Sequence, residues 1–166
     1  MKINLKSIFG INQTSTDNSS VDKEENEYDK HVDFYYTNII NSIILYTYDI
    51  PKLDEMAPIL IDPLTELYEE LEYAFTPVCF ETVFRLNIID SSFKNELLEF
   101  KKEIDNIPVE IWDWEFIDSH ERWKTTRNRA NALLDKLGVT SRTYNDNYTT
   151  IYDKEGNIIR KGKNCS

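Results

Sequence analysis

Asp62-Pro63-Leu64-Thr65-Glu66-Leu67-Tyr68-Glu69-Glu70-Leu71-Glu72-Tyr73-Ala74-Phe75 carries the strongest local signals in this chain, and they are helical. Asp62 is a good N-cap, and Pro63 suits the first helical position, where no N–H is needed. Leu64, Leu67, Leu71 and Phe75 recur every three or four residues, the spacing of one helix face, with Tyr68 beside them. Glu66, Glu69 and Glu70 point the other way, and Glu72 lies on the flank. Acids early in a helix also suit the positive end of its dipole. The stretch predicts an amphipathic helix with one apolar and one acidic face.

The chain on either side supports a helical fold. Tyr28, Val32, Tyr35, Ile39, Ile43 and Tyr46 follow the same period upstream, and Tyr36, Ile40 and Ile44 widen the stripe. A helix from about Tyr28 to Ile50 follows, substantially buried and ended by Pro51. Downstream, Pro77 opens a segment that fits either period: Phe80, Thr82, Phe84, Leu86 and Ile88 alternate as in a strand, and Phe80, Val83, Phe84 and Asn87 fit a helix. Helix is preferred, because a helix-rich chain offers few strand partners. Ser91 or Ser92 caps a helix with Phe93, Leu97, Phe100 and Ile104 inward. After Pro108, residues 110–116 form a short helical turn. Asp118 and Glu121 have capping-box spacing ahead of a last helix with Trp123, Ala130, Leu133, Leu134 and Leu137 inward and Gly138 at its end. Tyr148 to Tyr152 and Asn157 to Arg160 are β-prone runs around Gly156, a hairpin expected to lie against the helices.

Four glycines and five prolines in 166 residues leave little for a turn-rich β-sandwich. The expectation is a mainly α, compact bundle of four or five helices with a small C-terminal β-hairpin. Residues 28–166 form one globular domain, with the helical core at 28–138 and the hairpin at 139–162. Residues 1–27 are polar and read as a flexible segment; within it, Ile3, Leu5, Ile8 and Phe9 make a small apolar patch. The run from Ile39 to Tyr48 is broken by Asn41, Ser42 and Thr47, so no membrane span is expected. Two cysteines, Cys79 and Cys165, and no secretory signal point to a cytoplasmic protein. Cys79 reads as a small core residue, Cys165 as part of a frayed end.

Charge is uneven. Between Asp49 and Glu81 stand nine carboxylates and one amine, Lys52. From Arg122 to the end there are ten Lys/Arg and four Asp/Glu. The acidic body repels nucleic acid and anionic membranes and favours a basic protein partner. The basic C-terminal region is a rival within the same molecule: the acidic helix face is either open to a partner or paired with that region, and the sequence leaves both open. Arg122, Lys124, Arg127 and Arg129 spread around their helix and do not form one groove-facing edge.

Catalytic signatures are thin. His31 and His120 have acids nearby and are the candidates for a metal-binding or hydrolytic site, but neither has the Glu three residues before it that a di-iron bundle uses. No local pattern makes Cys79 a nucleophile, and no glycine-rich loop cradles phosphate. No cofactor is implied. Trp112, Trp114, Phe116 and Trp123 read as a corner of the core closing the last helix onto the bundle. The functional expectation is a non-enzymatic acidic protein-binding module, an immunity-type inhibitor of a basic toxin or enzyme, with a surface made of Glu66, Glu69, Glu70, Glu72 and Tyr73. The alternatives are the His31/His120 protein and a structural or regulatory module whose acidity only keeps it in solution.

Overall fold

The computed structural model describes residues 27–57 and 59–163. The helices are α1 (Val32–Leu45), α2 (Ile50–Asp54), α3 (Pro63–Ala74), α4 (Pro77–Arg85), α5 (Lys94–Asp105), α6 (Trp114–Ile117) and α7 (Glu121–Lys136). Single 3-10 turns at Ser91–Phe93 and Val109–Ile111 join them. Strands β1 (Ile151–Tyr152) and β2 (Ile158–Arg160) pair antiparallel after the last helix. The fold is mainly helical with a small C-terminal hairpin, and the doubtful segment after Pro77 is a helix. The expected flexible segment and its apolar patch lie outside the described residues, save for Glu27, which opens a helical turn over 27–29. Cys165 lies outside them as well.

α1 is the axis. Every residue from Thr37 to Tyr46 is buried, and α3, α4 and α7 all pack against it, with α5 packed on α7. A face this wide is what the doubled apolar stripe requires. The buried hydroxyls return to the helix itself: Thr37 Oγ donates to Asp33 O at 2.7 Å and Ser42 Oγ to Ile39 O at 2.9 Å. Ile39, Ile43, Leu67, Leu71, Leu97, Phe100, Ile104, Leu133 and Leu134 are fully enclosed. Each such side chain contributes roughly 1.5–3 kcal/mol by leaving water.

Several helix ends differ from expectation, and each difference has a local cause. α1 stops at Leu45, not Ile50, because its last turn tightens: Tyr46 N–H donates to Ile43 O, and both the N–H and hydroxyl of Thr47 donate to Ile44 O. Pro51 then starts α2 instead of ending α1, under a cap in which Asp49 accepts from Lys52 N–H at 3.0 Å. Asp90, not Ser91 or Ser92, caps the next element, accepting from Ser92 N–H at 2.8 Å. At α7 the cap is His120, whose Nδ1 accepts from Arg122 N–H at 3.1 Å. Asp118 is engaged elsewhere, on Arg127 and on Ile50 N–H. α7 ends as expected at Gly138, φ 74°. Gly138 N–H donates to Asp135 O and Val139 N–H to Leu134 O, a Schellman closure.

The aromatic corner closes as read. Trp123 stacks on Tyr46 with ring centres 6.3 Å apart, meets Trp112 edge-on at 4.8 Å, and donates from Nε1 to Ile111 O. Residues 139–150 run back over α1 as a strap outside helix and strand, with a turn closed by Thr149 N–H on Asp146 O. Buried Asn41 holds the strap as a β-ladder partner would: its Nδ2 donates to Asn145 O at 2.9 Å and its Oδ1 accepts from Asn145 N–H at 2.8 Å. Tyr144 N–H donates to Tyr48 Oη. The hairpin meets the bundle at its base, through Tyr148 against Phe34. Tyr152, Ile158 and Ile159 on the strands are exposed, so the expected docking of the whole hairpin is confined to that base. Among the described residues no helix is long and apolar enough to cross a membrane.

Candidate functional site

α3 stands between two concavities, and its acidic residues divide between them. The local sequence sets its start. Asp62 Oδ2 accepts from Thr65 Oγ, and Glu66 reaches back to accept Asp62 N–H at 2.8 Å. Glu66 therefore stabilises its own helix end as well as adding charge.

On one side lies an open groove of about 430 Å³ between α3 and the end of α5, lined by Leu64, Tyr68, Ile104, Val109 and Trp112, with Glu69 and Asp105 on its walls. Val109 and Tyr68 are exposed there. Glu72 borders this flank. Lys101 donates to it and also to Asp105, at 2.9 Å. The Lys101 ammonium, with help from Tyr68, holds the Glu72 carboxyl below the usual carboxylate range.

On the other side is a tighter cleft of about 130 Å³ between α1, α3 and the strap. Phe34 and Asn38 of α1, Glu70 and Tyr73 of α3, and Tyr144 and Tyr148 of the strap line it. Phe34 is the middle ring, 6.3 Å from Tyr73 and 5.4 Å from Tyr148. Asn38 is 8% exposed, and its Nδ2 bonds to no group of the described chain. Burial raises the Glu70 carboxyl above its ordinary 4.5, and the neighbouring Glu66 and Glu69 charges add to the rise. Burial, together with the Glu70 charge, pushes the Tyr144 hydroxyl up to about 12.

The sequence leaves open whether the basic C-terminal region pairs with the acidic face of this helix, and its cations pair elsewhere. Arg129 pairs with Glu96 at 2.9 Å, Lys136 with the same carboxylate at 2.6 Å, and Arg160 with Asp146. Arg142 pairs with Asp135. Arg122 donates to Glu103 O, and Arg127 to Tyr48 O, Ile117 O and Asp118. Among the described residues, no lysine, arginine or histidine pairs with Glu66, Glu69 or Glu70. The reason is positional: α7 packs on α1 and α5, so its cations meet the acids of α5 and the loop before α7, not α3.

The remaining candidates are accounted for locally. His31 sits at the head of α1, edge-on to Tyr35 at 6.2 Å. His120 is the α7 cap. No group of three His, Cys, Asp or Glu that could hold a metal occurs among the described residues. Cys79 is buried, and burial pushes its thiol up, away from the thiolate a nucleophile needs. Sequence reasoning missed Phe34, Asn38, Tyr144 and Tyr148. They belong to segments more than a hundred residues apart, and the one signal was the aromatic, β-prone run after Gly138. Compared with known proteins, the chain matches no family model, no curated protein and no solved structure.

Proposed function

We propose that this chain is a non-enzymatic protein-binding module whose α3 face, carrying Glu66, Glu69, Glu70, Glu72 and Tyr73, covers a basic protein partner in the cytoplasm, as an immunity-type inhibitor covers a basic toxin or enzyme. One observation carries the reading. Glu66, Glu69 and Glu70 lie together without a cation of the described chain beside them, although the region from Arg122 onward supplies ten. Glu66 lies one turn from both Glu69 and Glu70, and like charges at that spacing repel. A positive partner relieves that repulsion and is steered toward it over several ångströms. Tyr73, 48% exposed beside them, offers the amphipathic ring that interfaces favour.

The test is affinity capture from the source cell with the wild-type chain and with Glu69→Arg, followed by association kinetics on whatever differs. Glu69 is the right residue to reverse. It is exposed and caps nothing, whereas Glu66 also holds the helix end. The reading predicts a basic protein retained by the wild type and lost by the variant. Its association rate falls about tenfold between low and physiological salt. A captured set identical for both chains, or an association rate indifferent to salt, contradicts it.

A further inference from the structure

The cleft between α1, α3 and the strap has features the acidic surface alone does not need. Glu70 is half-buried in it rather than solvated. Removing a carboxylate from water costs free energy unless a cation or donors replace the water. Its near neighbours of known charge are Glu66 and Glu69, which worsen the balance. Around it stand three rings, Tyr73, Phe34 and Tyr148, in one continuous wall. Aromatic faces attract ammonium and guanidinium groups through their quadrupole, most strongly where water is excluded. Tyr148 already meets an ammonium within the chain, with Lys163 Nζ 5.9 Å from the ring centre. Asn38 adds a buried amide nitrogen bonded to no described group, a donor that suits the carboxylate side of the cleft and not the cation itself. A volume of about 130 Å³ holds about four waters at about 30 Å³ each, the scale of a side-chain tip and not of a folded ligand.

We infer that this cleft is an anchor pocket for one cationic side chain, a lysine or arginine of the basic partner, held by the Glu70 carboxylate and the Phe34, Tyr73 and Tyr148 rings. The inference rests on the basic-partner reading and names where on α3 that partner is gripped. The strap is what makes the pocket. Its Tyr144 and Tyr148 form the far wall, and Asn41 fixes its register on α1 through both hydrogen bonds to Asn145. Glu69, on the groove side of α3, steers the partner; Glu70 receives it.

The experiment uses the labelled full-length chain and three short acetylated, amidated peptides that differ only in a central lysine, arginine or norleucine. Nuclear magnetic resonance follows the Phe34, Tyr73 and Tyr148 ring signals and the Glu70 carboxyl. The inference predicts that the lysine or the arginine peptide shifts all four groups and the norleucine peptide shifts none. Glu70→Gln weakens that binding about tenfold or more, and Glu69→Gln about twofold at most. Tyr148→Leu keeps the carboxylate, removes one ring and weakens binding severalfold. Equal shifts with norleucine, or unchanged binding by Glu70→Gln, overturns the pocket. Polylysine is the separating arm. Polylysine binding that Glu69→Arg abolishes, with the cleft signals still, overturns the pocket and leaves the acidic face standing. A chain that binds neither the peptides nor polylysine overturns both.

Discussion

On α7, Arg127 grips two backbone carbonyls and Asp118, Arg129 and Lys136 share Glu96, and Arg122 reaches Glu103 O. On α3, Glu69 and Glu70 meet no such partner among the described residues. Both helices are amphipathic and strongly charged, and by composition alone they look like natural partners. The difference is that α7's charges point at neighbouring elements whose acids and carbonyls they satisfy, while α3's acidic face borders open concavities. Charge that ties elements together contributes stability. Charge left without a partner costs a little stability and is available for binding.

The sharpest way to break this contrast is at Arg127. Arg127→Leu leaves Tyr48 O and Ile117 O without their donor and Asp118 with Ile50 N–H alone, and the expected loss is about 2 kcal/mol in urea unfolding. A variant as stable as the wild type would mean α7's cations are as dispensable as α3's anions. Within α3, a paired comparison gives a smaller effect. Glu66→Ala removes the carboxylate on Asp62 N–H and costs about 1 kcal/mol, whereas Glu69→Ala, exposed, stays within about 0.5 kcal/mol of the wild type. Equal losses at both positions would place Glu69 in a contact the fold depends on.

Much of this was readable from local sequence. Asp62-Pro63 and the leucines of α3, the wide stripe of α1 and Gly138 are short-range signals, and each specifies its element. Cap assignments failed where a side chain had two possible uses. Asp118 has capping-box spacing with Glu121, but Arg127 and Ile50 N–H compete for it from outside the local segment. The acidic face was legible as a helix face. Its two-sided character was not, because the clefts are made by α5 on one side and the strap on the other. Asn41 illustrates the limit. In sequence it interrupts an apolar run, and only the return of Asn145 shows that it is a docking point.

The most direct test of the central claim, that Glu69 and Glu70 of α3 meet no cation among the described residues, is a pH titration of the glutamate carboxyl carbons in the full-length chain. Glu70 should titrate above its ordinary 4.5, from burial and the adjacent charges, while Glu72 and Glu96, held by Lys101 and by Lys136 with Arg129, should titrate below it. The signs carry through to stability. A raised Glu70 favours the fold below the ordinary value, and that contribution is lost as pH rises through its folded value. The lowered Glu72 and Glu96 favour the fold above the ordinary value, and their contribution is lost as pH falls through theirs. Glu70 above and Glu96 below is the predicted result; a Glu70 that titrates with Glu72 and Glu96, below the ordinary value, would contradict the account by showing that a cation of this chain already holds it.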